Sequence, residues 1–379
     1  MEKRKRFIHL YVKLGIIFTL ILLFVVFKIL TNNQYFCENY SNSVLKVYSI
    51  IFGSISSFFP FSLFEIFLIL NIAYVIIWIV FFVIGSNKYG IKKTYNMILR
   101  LVIVALSIVT IYQMTAGISY GREFPDIPQH NELIDDPQDY RKICMKFIDD
   151  FNDCASKLEY DENGSVVKPY SDDILVMKIQ HEFNSLDSEY FYKFDSKVKP
   201  MYLTSWAYRM CSISGFSFIP FGEANYNFLN NDSYLPFTIA HEMAHARGAM
   251  PEEYANITAA YICLNSDDPY IRFSGHNVAL WSLDSFIRAT NNDNYISEFY
   301  QNIDSRIYKN NEYQNNYWEK HAQLQKFGNW INDLYLKSNN EKGTVSYTDN
   351  IDVVVTPTEY KISSYSRYQA LYLWFYYDK

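Results

Sequence analysis

The chain has 379 residues, half of them hydrophobic and a fifth charged, with 34 Tyr and 29 Phe, which excludes a disordered or fibrous protein. Its net charge of −6 divides unevenly: residues 1–100 carry eleven Lys/Arg against three acids (+8), and the remainder carries 23 against 37 (−14). A basic third joined to an acidic two-thirds argues for a membrane anchor bearing a soluble domain. It argues against a nucleic-acid binder, whose positive excess would sit on the soluble part.

Three stretches are apolar enough to span a bilayer, at about residues 10–30, 61–84 and 101–120. The first follows the basic start Lys3-Arg4-Lys5-Arg6, but no small-residue cleavage site follows its apolar run, so it reads as an uncleaved anchor. Lys88, Lys92, Lys93 and Arg100 lie between the second and third stretches, whereas the loop between the first and second carries Lys46 alone. Basic loops stay cytoplasmic, which predicts an inside N-terminus and residues 121–379 outside the plasma membrane. Val44–Phe58 is too short for a crossing and reads as interfacial, and Glu65 reads as reaching the headgroups.

Beyond the spans, residues 121–137 read as a linker, and Asp139–Glu159 and Asp172–Leu186 have helical periodicity. The stretch between these two helices, with Asn163-Gly164 and Lys168-Pro169, reads as a loop. Ser212–Phe218 alternates and Glu223–Leu229 is extended and aromatic, which predicts two strands, the second an edge strand. Helices are expected from Leu235 to about Lys337. The expected fold is α-rich α+β: three membrane helices over residues 1–120, then a soluble domain over 121–379 with a small sheet. Five scattered cysteines without a C-x-x-C pair read as buried free thiols.

The chemistry lies in His241-Glu242-Met243-Ala244-His245, an H-E-x-x-H motif. Two His at i and i+4 share one helical face, so both imidazoles can reach a single Zn²⁺. Such an ion lowers the pKa of bound water towards 7, and Glu242 can take the proton. Gly248 stops the helix and Pro251 opens another. A tight reversal there places Glu252 and Glu253 opposite His245, so either can supply a third ligand. Upstream, Glu223, Ala224 and Asn225 of the expected edge strand are candidates for binding an extended peptide by strand addition. His276 and Tyr261 are candidate oxyanion stabilisers.

HEMAHARG followed by EEYAN, and preceded by SISGFSFIPFGEANYN and LPFTIA, resembles an uncharacterised family of bacterial membrane proteins. Its members join N-terminal spans to a zincin-like metallopeptidase domain. Further likeness runs through Asp268–Gly275, Tyr317–Lys320, Asn332–Ser338 and Thr344–Tyr347. The resemblance implies His241 and His245 as zinc ligands, Glu242 as base, and an acid after Gly248 as third ligand. Tyr254 stands where the family usually has an acid, which leaves Glu252 ahead of Glu253. The expected function is therefore a membrane-anchored zinc metallopeptidase cutting protein or peptide outside the cytoplasmic membrane. The alternatives are a zinc-binding pseudopeptidase or scaffold, and a zinc hydrolase acting on a cell-envelope substrate.

Overall fold

The computed structural model describes residues 2–89, 91–134, 136–195, 197–320, 322–339, 341, 352–356 and 359–379. The Thr344–Tyr347 segment and His321 lie outside the described residues, as do the side chains of Lys3–Arg6, Lys88, Lys92 and Lys93. The chain packs as two units. One comprises residues 1–123 together with 218–223, and the other residues 124–217 and 224–379.

The first unit is helical: α1 (Glu2–Leu30), α2 (Gln34–Tyr40), α3 (Lys46–Ser57), α4 (Leu63–Tyr89) and α5 (Ile91–Tyr112). Three segments, Ile8–Leu30, Leu63–Ile84 and Tyr95–Gly117, are long and apolar enough to cross a membrane. The third begins six residues before the expected start and takes in Arg100. Large side chains such as Phe18, Leu70 and Phe81 are more than 60% exposed on these helices, a surface suited to lipid rather than water. Polar ties hold α1 to α5 and its extension: Thr110 Oγ1 donates to Leu20 O (3.2 Å) and Gln113 Nε2 to Thr31 Oγ1 (3.0 Å). Glu65 is buried rather than turned outward.

A loop from far along the chain completes this unit. Phe218 and Phe221 pack on Phe64 and Phe67, with ring centroids 5.1–5.5 Å apart, and Tyr48 OH donates to Pro220 O (2.6 Å). Gly222 has φ +60° and lies against the backbone of Gly53, where a side chain would collide. Glu223 follows, 1% exposed, and accepts from Ser56 Oγ (2.7 Å), Ser62 Oγ (2.9 Å) and the N–H groups of Leu63 and Phe64 (3.1 Å each). A carboxylate at the start of α4 satisfies otherwise orphaned donors and favours the helix dipole.

The second unit holds α6 (Pro137–Ser156), a short hairpin of β1 (Glu159–Tyr160) and β2 (Val166–Val167), α7 (Asp172–Ser185), β3 (Val198–Met201), α8 (Ser205–Met210), β4 (Gly215–Phe218) and β5 (Glu223–Asn227). Helices α9 (Leu235–Ala246), α10 (Glu252–Asn265), α11 (Pro269–Ala289), α12 (Asp293–Asn302), α13 (Ser305–Lys320) and α14 (Ala322–Ser338) follow. The hairpin β6 (Asp352–Thr356) and β7 (Glu359–Ser364), helix α15 (Arg367–Leu373) and a π-helical turn over Trp374–Asp378 follow. Four cysteines are buried and Cys211 half-buried, all as free thiols.

The three-stranded sheet corrects one expectation. Its order is β3-β5-β4, with β5 parallel to β3, so β5 is the central strand and β4 lies at an edge. β3 was not legible in its own sequence, since Val198–Met201 contains Pro200 and is only four residues long. Pairing on both sides then buries every residue of β5.

Candidate metal centre

Helices α9 and α10 build the site. Ile239, Ala240, Met243 and Ala244 of α9 are buried, as are Ala255, Ala259 and Ala260 of α10, and the small alanines let the two helices approach closely. Pro236 sits in the first turn of α9, and the N–H of Phe237 is satisfied by Ser274 Oγ (3.1 Å). At the other end Gly248 takes φ +105°, and Ala249 N–H returns to Ala244 O (3.0 Å). Arg247 fixes this end from behind. It is fully buried, donating to Asn184 Oδ1 (3.1 Å) and Phe194 O (3.0 Å).

The reversal brings Glu252, the first residue of α10, against both histidines. His241 Nε2 is 3.2 Å and His245 Nε2 3.6 Å from Glu252 Oε2. The three donor atoms lie within 4.8 Å of one another. Ligands of a tetrahedral zinc with bonds of about 2.0–2.1 Å lie about 3.3 Å apart, so the donor chemistry and spacing fit that ion. His245 Nδ1 is 2.8 Å from Ala249 O, and because a carbonyl only accepts, Nδ1 carries a hydrogen and Nε2 is the ring nitrogen that faces the cluster. Burial opposes charge on His245, but the Glu252 carboxylate outweighs it and holds the imidazole up at about 9, so below that pH a metal ion would have to displace the Nε2 proton to be bound there. Burial likewise opposes charge on Glu252, and the histidines hold its carboxyl well below the usual range. Glu253 points elsewhere: it is 45% exposed and pairs with Arg367 (3.1 Å).

Glu242 is buried beside this cluster. Burial pushes its carboxyl up, opposed by His241, His245 and a hydrogen bond from Ser217. Ser217 Oγ lies 2.7 Å from Glu242 Oε2. Gly215, two residues earlier on the same face of β4, leaves room for the carboxylate, which any Cβ there would strike. These two residues were legible only as part of an alternating strand. What they serve is the Glu242 carboxylate, 25 residues beyond Ser217.

A cavity of about 680 Å³ opens over the cluster, bordered by β4 on one side and by Asn329, Asn332 and Tyr335 of α14 on another. Asn256, one turn beyond Glu252, also lines it. Glu223, Ala224, Asn225 and His276 do not. Central position in the sheet buries Ala224 and Asn225 away from a ligand, and Asn225 Nδ2 donates to Phe216 O (3.2 Å), bracing β4. Glu223 is held by its four donors at the start of α4. His276 is fully buried on α11, its Nδ1 donating to Arg272 O (2.8 Å) and its Nε2 facing Tyr376 OH (2.8 Å) and Asp150 (3.2 Å). Tyr261 packs its ring on Trp374 and Phe375, 5.9 and 5.8 Å away.

Residues 40–355 match the family described as Protein of unknown function (DUF3810), and the chain belongs to that family. No curated protein and no solved structure matches it.

Proposed function

We propose that this DUF3810 chain is a membrane-anchored zinc metallopeptidase with a zincin-like domain, its N-terminus inside a bacterial plasma membrane and residues 121–379 outside. The observation that carries the reading is the convergence of His241, His245 and Glu252 beside Glu242 in one cavity. Bound zinc supplies a lowered pKa for water and polarisation of a carbonyl. The protein's own groups do the rest. His241, His245 and Glu252 hold the ion, and the Ala249 carbonyl fixes the tautomer of His245. Glu242 takes a proton from the attacking water at its carboxylate and delivers it to the leaving amine, a role suited to a base whose pKa burial has raised. Ser217 keeps that carboxylate in one rotamer.

Glu242→Gln separates a hydrolase from a zinc-binding scaffold. The full chain, purified in detergent, is expected to retain about one equivalent of zinc while cleavage of a casein or peptide-library substrate falls by about 10²–10⁴-fold. Cleavage undiminished in that variant removes the hydrolase reading. The orientation rests on the Lys/Arg count of the short loops. A membrane-impermeant thiol reagent on intact cells should label a cysteine placed at 379 and spare one at 90; the reverse pattern overturns it.

A further inference from the structure

Beyond the donor cluster itself the described residues lining the cavity over it carry no charge, and Glu341, which accepts from the Glu252 N–H (3.1 Å), is not among them. Among the described residues lining the cavity there is no Lys, Arg or Asp, and no Glu besides 242 and 252. Both of those carboxylates are committed, Glu242 to Ser217 and Glu252 to the two imidazoles. Their two negative charges balance a divalent cation. The wall is otherwise made of neutral groups: Ser214 and Thr238 hydroxyls, Phe216 and Tyr208 rings, and the Asn329 and Asn332 amides one turn apart on α14. An adjoining cavity of about 320 Å³ shares Ser212, Ile213, Ser214, Phe237 and Thr238 with the first, which extends the path beyond the cluster. Arg209 is the one cation among the residues lining it, and it already has a partner. Glu223, the acid that the sequence offers just upstream, is occupied at the start of α4.

An α-ammonium or an α-carboxylate next to the cluster would thus give up part of its water without meeting a counter-charge among the described lining residues, which is disfavoured. A peptide bond suffers no such loss, since amide side chains and the main chain of an edge strand match its donors and acceptors. We infer that the cavity binds the interior of an extended peptide with uncharged side chains, its main chain along β4, and discriminates against chain ends. This rests on the peptidase reading and narrows it to internal cleavage.

The test uses the full chain in detergent carrying Glu242→Gln, so that binding is read without turnover. An eight-residue peptide of Ala, Ser, Leu and Phe is titrated calorimetrically in three forms: acetylated and amidated, with a free amine, and with a free carboxylate. The blocked form is expected to bind at least tenfold more tightly than either charged form. Asn329→Lys, at an exposed position, should bring the free-carboxylate form to within about threefold of the blocked one. Zinc-loaded wild type should cut the blocked peptide at an internal bond, read by mass spectrometry. Equal or tighter binding of a charged end, or release of single residues from an end, overturns the inference. So does a free-carboxylate preference that vanishes in Arg209→Gln, since the second cavity would then be a terminus anchor. Tight binding of the blocked peptide without hydrolysis by wild type supports the inference and sinks the hydrolase reading. End-wise hydrolysis does the reverse.

Discussion

Two clusters of the second unit combine histidine with a carboxylate, and they use it oppositely. Around Asp150, the Arg272 guanidinium, His276 Nε2 and Tyr376 OH converge on a single carboxylate, and His276 spends its other nitrogen on a backbone carbonyl. Around Glu252, two Nε2 atoms converge on a carboxylate, and no Lys or Arg is among the described residues lining the cavity above. In the first cluster the charge is neutralised by the protein's own cation. In the second, three electron-pair donors point at a common centre. Residue type alone therefore does not mark a site; what marks it is whether the lone pairs remain unspent.

Metal content gives the sharpest contrast. His245→Ala and Glu252→Ala should lose zinc at micromolar free metal, a fall well beyond the 10–100-fold cost of losing an outer-shell partner, whereas Glu253→Ala and Asp150→Asn should keep one equivalent by inductively coupled plasma mass spectrometry. Zinc lost from Asp150→Asn but kept by Glu252→Ala would invert the comparison.

Next in size is an effect on the base alone. Gly215→Ala pushes a methyl into the Glu242 carboxylate, so peptide cleavage should drop by about 10²-fold with zinc retained. Ser217→Ala should cost about tenfold, with KM unchanged, since it frees a rotamer without removing the base. Full activity in both would mean that β4 does not position Glu242.

The closed cluster should register in stability instead. Asp150→Ala strips the partner from Arg272 and His276. Breaking a fully buried pair costs about 3–5 kcal/mol, and with side chains here 22–30% exposed a loss of about 1–3 kcal/mol is expected from denaturant titration. The smallest effect is its pH dependence. Burial alone would raise the Asp150 carboxyl, but His276 and Arg272 outweigh it and hold it at about 2, below the ordinary value of about 3.9. A depressed carboxylate contributes fully above pH of about 4 and loses that contribution as pH falls towards 2. The thermal midpoint should fall through that window in wild type and less steeply in Asp150→Asn.

The same contrast explains what could be read from the chain. His241, Glu242 and His245 were legible because helical spacing alone puts i and i+4 on one face. Glu252 was legible because a turn glycine and Pro251 fix the reversal within seven residues of His245. The role of His276 was not, because its partners Asp150 and Tyr376 lie 126 and 100 residues away. β5 read as an edge strand for a similar reason: its parallel neighbour β3 pairs with it at an offset of 26 positions, Val198 with Ala224, with no local signal for the pairing. The cavity wall from α14 is likewise invisible to periodicity, since Asn329 and Asn332 look like any exposed helical face until the sheet is opposite them.

The loop from Phe218 to Glu223 also imposes an order of assembly. Ribosomes deliver the three apolar helices first, and the donors of Ser56, Ser62, Leu63 and Phe64 wait for a carboxylate made some 160 residues later. Glu223 opens β5, the central strand of the sheet whose edge strand β4 carries Ser217. A chain begun at Phe124 would present Phe218 and Phe221 to water and Glu223 without its four donors. Such a fragment should aggregate in size-exclusion chromatography, where the full chain in detergent runs as a discrete species.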